Sequence, residues 1–170
     1  MATSTGPGRR IWGPLWALIV STALVVWYFH APLSPPWSVV RVVELVAGLI
    51  LVAAIVVGEI VAVLRSPRPR LRAAGALVLT LPMLVVLFAA AYVIMSAGRP
   101  GSFSEPLTRV GALYFSMTIF STVGFGDIAA RTDPARILVM VQMLADLTYV
   151  GLFVRAIFEA VRIGEGRNDS

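Results

Sequence analysis

Thr122-Val123-Gly124-Phe125-Gly126-Asp127 is the stretch on which the reading of this 170-residue chain turns. It lies in a link between two long apolar runs, directly after a short amphipathic segment that ends at Ser121. Gly124 and Gly126 alternate with residues that carry side chains. Glycine admits backbone conformations that set successive carbonyl oxygens on one side of the chain. Thr122 adds a hydroxyl at the inner end of that row. Backbone oxygens arranged in this way can replace the water shell of a cation.

Composition sets the solvent around the motif. Hydrophobic residues make up 58% of the chain and the mean hydropathy is +0.87, which is the signature of an integral membrane protein. Cysteine is absent, so disulfides, thiolate metal sites and cysteine nucleophiles are excluded. A single histidine, His30, makes a zinc or haem site a poor reading. All 14 basic residues are arginine and the net charge is +5. In a soluble protein that charge would suggest nucleic acid. Here the arginines gather at the ends of apolar runs and read as topology determinants, so lipid rather than nucleic acid is the expected surrounding.

Four apolar runs, 12–29, 39–64, 73–96 and 135–163, approach or exceed the about 20 residues that cross ~30 Å of hydrocarbon. Only helices satisfy their own backbone groups in lipid, so an all-α membrane fold with four transmembrane helices is expected. The last run exceeds the bilayer's need and should tilt or extend beyond it. Arg9 and Arg10 precede the first run, and Arg65, Arg68, Arg70 and Arg72 crowd the link after the second. Both places are expected on the cytoplasmic side. The links 31–38 and 97–134 then face outward, both termini face inward, and the protein is expected as a multi-pass protein of the cell membrane. Trp12 and Trp16 at one end of the first run, with Trp27, Tyr28 and His30 at the other, suit interfacial anchoring. Arg9-Arg10 and an apolar run resemble the start of a signal peptide, but the run lacks a small-x-small cleavage site and is read as retained. No unit repeats, and the tail 164–170 is too short for a soluble ligand-binding domain. Asn168-Asp169-Ser170 matches a glycosylation sequon on the inner side and reads as chance.

Residues 107–120 would form about four turns of helix, too short to cross and return. Such re-entrant structure is tolerated where protein buries it or it lines water. The C-terminal end of such a helix aims partial negative charge at whatever it faces, which favours a cation there.

The 122–127 motif resembles the filter of potassium channels, in which TVGYG or TVGFG is followed by Asp. The resemblance covers roughly residues 73–163. It implies a pore domain of outer helix 73–96, pore helix 107–120, filter 122–127 and inner helix 135–163, preceded by a two-helix peripheral region within 1–72. One strand of carbonyls cannot surround an ion and the chain has one motif, so it also implies a homotetramer. Potassium would pass at Thr122, Val123, Gly124, Phe125 and Gly126, with no other cofactor and no enzymatic step. In many relatives an aromatic donor thirteen residues before the filter Asp bonds to it behind the filter. Tyr114 stands thirteen residues before Asp127. Phe115 continues the aromatic cuff. Thr118 occupies a place where relatives carry a carboxylate or an apolar residue. Phe125 replaces the commoner Tyr and lacks its hydroxyl, one possible strap from filter to pore helix.

Asp146 lies near mid-depth in the last run, where a carboxylate is costly. Gln142, Asp146 and Tyr149 recur at helical spacing and form one polar stripe. Two arrangements suit Asp146: a ring of carboxylates below the filter, or a buried network reaching Ser116 or Thr118 of the pore helix. Gly151 suits bending or close packing. Arg155 and Glu159, with Arg162 in reach, read as a pair at the cytoplasmic mouth rather than a gate. Arg41 and Glu44 suit a similar pair. Glu59 is expected to meet Arg65 or a basic residue of the last span. Ala54, Gly58 and Ala62 suit helix packing, and Pro82 should kink its span. The run Arg65 to Arg72 is broken by Pro67 and Pro69 and reads as a loop, not as a voltage sensor.

Three other functions compete. A weakly selective cation channel is nearest, and a non-conducting accessory subunit is next. Gly124-Phe125-Gly126-Asp127 also reads as the GxGD of intramembrane aspartyl proteases, with Asp146 as the second carboxylate. Those proteases place the partner Asp after a Tyr on an earlier span. Here it follows Ala145 and comes nineteen residues later.

Overall fold

The computed structural model describes residues 12–30, 39–66 and 69–165. Five helices follow in order: α1 (Trp12–His30), α2 (Val39–Leu64), α3 (Pro69–Gly98), α4 (Arg109–Phe120) and α5 (Asp133–Glu165). The described residues contain no strand beyond an isolated antiparallel bridge between Phe103 and Ala130. Among the described residues three helices hold stretches long and apolar enough to cross a membrane, at Val46–Val63, Arg72–Gly98 and Asp133–Arg155. The described apolar stretch of α1, Trp16–His30, is shorter. Four crossings were expected from the sequence; three meet the length here.

Helix α3 is the hub, packing against α1, α2, α4 and α5. Its Phe88, Ala89, Tyr92 and Met95 are buried at the centre of the core. Tyr92, Phe103 and Phe115 meet edge to face, with centroids 5.0 to 5.7 Å apart. That geometry adds to what simple burial of the rings contributes. On α2 Val52, Val56 and Val63 are buried, and Gly48 on the same side is half-buried. A Cβ at Gly48 would stand 2.8 Å from Leu87 Cδ1, so the absent side chain lets α2 approach α3 closely. The small-residue face expected at Ala54, Gly58 and Ala62 is not this one. Ala54 and Gly58 are exposed, and a Cβ on Gly58 would meet nothing within 4 Å.

Two boundaries differ from expectation. Helix α3 starts at Pro69, not Ala73, and takes Arg70 and Arg72 into its first turn. Proline suits the first helical position because its missing N–H would be unpaired there anyway. The same start corrects the partner of Glu59. It pairs with Arg72 at 3.1 Å rather than with Arg65 or the last span. With Arg72 about half exposed, that pair contributes little to stability. Helix α4 starts at Arg109, two residues later than expected. The expected Arg41–Glu44 pair rests on the Arg41 side chain, which lies outside the described residues.

Pro82 lies inside α3. It carries no N–H, so the carbonyl of Val78, four residues earlier, loses its helical donor. The Ser21 hydroxyl of α1 donates to that carbonyl at 2.6 Å. In lipid no water replaces the lost bond, and a neighbouring helix's hydroxyl is one of the remedies. Ser21→Ala should therefore lower stability by about 1–3 kcal/mol, the usual penalty for a buried unpaired group. Pro82→Ala restores the N–H at that turn, so Ser21→Ala in that background should cost clearly less. Thermal melting of the four proteins in detergent measures the coupling. Additive losses would show that Ser21 does not serve the Val78 carbonyl.

Candidate functional site

Helix α4 is built to hold its C-terminal end still. Thr108 caps it, its hydroxyl accepting from the Gly111 N–H at 3.0 Å. Its buried face is Ala112, Phe115, Ser116 and Thr118. Ser116 donates to the Val85 carbonyl of α3 at 3.0 Å. The Thr118 hydroxyl turns back to the Phe115 carbonyl at 2.8 Å. Thr118 thus reaches the following loop through its backbone, not its side chain.

The helix ends in a specific way. The N–H of Thr122 donates to the Ile119 carbonyl at 2.9 Å, and the N–H of Val123 to the Thr118 carbonyl at 3.1 Å. With Ser121 as C-cap, these are the two bonds of a Schellman motif. The Gly124 N–H also points to the Thr118 carbonyl, at 3.3 Å. The motif needs a left-handed residue after the cap, usually glycine. Thr122 fills that place at φ 58°. A β-branched residue in that region is strained and persists where its surroundings fix it.

Left-handed backbone then recurs at every second residue. Gly124 has φ 51° and Gly126 φ 79°, whereas Val123 and Phe125 keep φ below zero. Alternation of the two hands turns successive N–H groups to one side and the carbonyls to the other. The N–H groups of 122–124 face the end of α4. The carbonyl oxygens of 122–126 accept no hydrogen bond from the described residues. A Cβ at Gly124 or Gly126 would meet nothing within 4 Å, so backbone conformation rather than space calls for glycine there.

The far end of the loop is strapped down. The Tyr114 hydroxyl donates to Asp127 Oδ2 at 2.8 Å. Phe125 lies parallel to the Tyr114 ring with centroids 6.4 Å apart. It contributes a ring face where a Tyr hydroxyl would have been a strap. Ser104, which the sequence did not single out, donates to the Asp127 carbonyl at 3.3 Å and accepts from the Ala129 N–H at 3.0 Å. Ser104 N–H also donates to the Ala129 carbonyl at 2.8 Å, and Arg131 N–H to that of Ser102 at 2.8 Å. The chain therefore enters and leaves the α4–loop segment at one place.

The polar stripe of α5 faces α3 and α4. Gln142, Asp146 and Tyr149 are all buried. Tyr92 donates to Gln142 Oε1 at 2.6 Å. Gln142 Nε2 donates to the Ser116 carbonyl at 2.9 Å and to Asp146 Oδ2 at 3.2 Å. Tyr149 and Thr80 hydroxyls meet at 3.0 Å. Asp146 is thus one step from Ser116, through Gln142. Asp146 Oδ1 is buried with no partner among the described residues. Tyr92, the donor at the centre, was hidden in the sequence by its uniformly apolar run. Asp127 bonds to Tyr114 and Asp146 to Gln142, so the two carboxylates stand in separate hydrogen-bonding sets. Gly151 is exposed, and a Cβ there would meet nothing within 4 Å among the described residues. Arg155 is exposed, and the Glu159 and Arg162 side chains lie outside the described residues. Among the described residues no three His, Cys, Asp or Glu side chains gather as metal ligands.

The donated bond from Tyr114 holds the Asp127 carboxyl below its ordinary range and pushes the Tyr114 phenol up. A depressed carboxyl stabilises the fold above the ordinary carboxylate range, and that stability is lost as pH falls through the folded value. Acid should therefore loosen residues 122–131, and Tyr114→Phe should make that loosening smaller. Hydrogen exchange of the loop between neutral pH and about pH 3, with intrinsic rates corrected, reads the difference. Equal acid sensitivity in both proteins would exclude Tyr114 as the strap.

Residues 80–162 match the family model described as an ion channel. The match spans α4, the 122–127 loop and most of α3 and α5, and it supports ion channel activity and a place in the membrane. No solved structure matches the chain.

Proposed function

We propose that the chain conducts potassium selectively, as a homotetramer, with 122–127 as the filter and α4 as its pore helix. One observation carries this reading. The backbone alternates hands at 122, 124 and 126 while the carbonyls of 122–126 stay unclaimed by the described residues. Oxygens so arranged replace the hydration shell of potassium, the transported ion, when four copies surround it. Thr122 adds a hydroxyl to the innermost ring. The carbonyl end of α4 favours a cation nearby.

The single chain leaves the expected mating surfaces bare. Met117, Val123 and Phe125 are 47%, 55% and 70% exposed beside the loop. Three neighbours around a fourfold axis would cover them, which a closed cyclic assembly does with one repeated interface. The bridged ends of the α4–loop segment support re-entry from one side of the membrane. The arginines at 9, 10, 65, 68, 70 and 72 support an outward-facing filter with both termini inside. In this reading α1 is the fourth crossing of a plasma-membrane channel. Phe125, without a hydroxyl, is the feature that favours a weakly selective cation channel as second reading.

Reversal potentials of the reconstituted protein under mixed potassium and sodium decide between them. The parent is expected to reverse near the potassium potential; reversal near zero with equal total cation would favour the weakly selective channel, and no flux the accessory subunit. Thr122→Gly removes the innermost hydroxyl while keeping the left-handed position comfortable. It should lower potassium-to-sodium discrimination by about tenfold, about 1.4 kcal/mol, with a melting temperature at or above the parent's. Unchanged discrimination would remove Thr122 from the ion path.

A further inference from the structure

Helix α1 is tied to α4 by two reciprocal bonds across 81 residues of sequence. The Tyr28 hydroxyl donates to the Arg109 carbonyl at 2.8 Å. The Arg109 guanidinium donates back to the Tyr28 carbonyl. Tyr28 is fully buried, so its hydroxyl has protein rather than solvent to bond to.

The charge at Arg109 is informative. It is the first residue of α4, where a cation opposes that helix's own dipole. Tyr28 lies in the last turn of α1, whose final carbonyls lack helical donors. A cation there complements the dipole and satisfies a carbonyl. Arg109 thus serves the end of α1 while sitting at the start of α4. Ser21 fixes α1 to α3 independently at the Pro82 turn. Helix α1 is therefore a strut held to the hub at its middle and to α4 at its last turn. Anything that shifts the start of α4 is carried along its 12 residues to the Thr118 carbonyl, which holds the loop.

We propose that Tyr28 and Arg109 are positioning residues forming a clamp, through which the first helix sets the register of the pore helix and so the discrimination of the filter. The proposal rests on the filter reading above. It gives α1 a part in conduction, where the sequence offered only a place at the periphery.

The test uses the full chain in liposomes, with Tyr28→Phe, Arg109→Met, their double variant, and Ser21→Ala as control. Three quantities are read: the potassium-to-sodium permeability ratio, hydrogen exchange of 109–127, and the melting temperature. Tyr28→Phe removes one oxygen and keeps the ring. It should speed exchange of 109–127 and lower the permeability ratio, each about 2- to 10-fold, as loss of one hydrogen bond permits. The double variant should differ little from the worse single, since the two bonds act as a unit. Ser21→Ala should lower the melting temperature and change the other two quantities less than Tyr28→Phe does, because α1 stays packed along α3 with the clamp intact. Lower melting in Tyr28→Phe with parental exchange and parental permeability ratio would overturn the proposal and leave a purely structural tie. If Arg109→Met does not fold, Tyr28→Phe alone carries the test. If the parent shows no potassium selectivity, the filter reading fails, and exchange of 109–127 still decides whether the clamp holds α4.

Discussion

A backbone polar group in hydrocarbon must find a partner within the protein, and this constraint organises the chain. Where Pro82 removes a donor, Ser21 supplies one to the Val78 carbonyl. Where α4 ends, the N–H groups of 122, 123 and 124 take up its last carbonyls. Where α1 ends, Arg109 reaches its Tyr28 carbonyl. Each remedy joins two elements, so the accounting of single groups also fixes the packing of whole helices. Against that background the oxygens of 122–126, which accept from none of the described residues, stand out. A row of unpartnered carbonyls is tolerable in a membrane where it faces water or an ion.

Much of this was legible in the sequence because it rests on periodicity. Long apolar runs marked the helices, and α2 occupies the range that hydropathy alone assigned to it. The stripe of Gln142, Asp146 and Tyr149 follows from helical spacing, and the three residues do share one buried face. The 122–127 motif announced itself by alternating glycines. What escaped depends on the third dimension. Nothing in a run of alanines and valines marks Tyr92 as the donor to Gln142, since its role depends on which face α5 presents. Ser104 is one serine in a polar link until the link folds back on Ala129. The partner of Glu59 was misread because two prolines suggested a loop, whereas the second of them begins a helix and carries Arg72 with it. The small-residue face at Ala54 and Gly58 satisfied a spacing rule without saying which surface of α2 meets α3.

The buried network behind the loop changes the meaning of Asp146. A carboxylate at mid-span draws attention as a charge, yet its bonded oxygen belongs to a set that includes Gln142, Ser116 and Tyr92. That set links three helices at one depth. Buried polar networks of this sort fix a unique packing more than they add net stability, because each member must be taken out of water first. Here the packing they fix is that of α5 and α3 against the middle of α4. The strap at Asp127 and the turn at Thr122 then hold the two ends of the loop.

Thr122 shows how the two demands on the loop meet in one residue. Ending α4 by a Schellman turn calls for a left-handed residue, and glycine would take that place without strain. A threonine there costs roughly 1–2 kcal/mol in backbone energy. Nothing in the termination of the helix requires the hydroxyl. Its two backbone bonds, to Ile119 and from Val123 to Thr118, would be equally available to glycine. The strain is therefore better explained by the side chain's work than by the turn's. In the filter reading that work is a ring of oxygens at the innermost position, continuing the carbonyls above it. Glycine follows at 124 and 126, where the same left-handed backbone recurs and no side-chain oxygen is needed. The order of residues in the loop is thus the order of its needs: a hydroxyl at the inner end where strain is tolerated, then backbone oxygens alone.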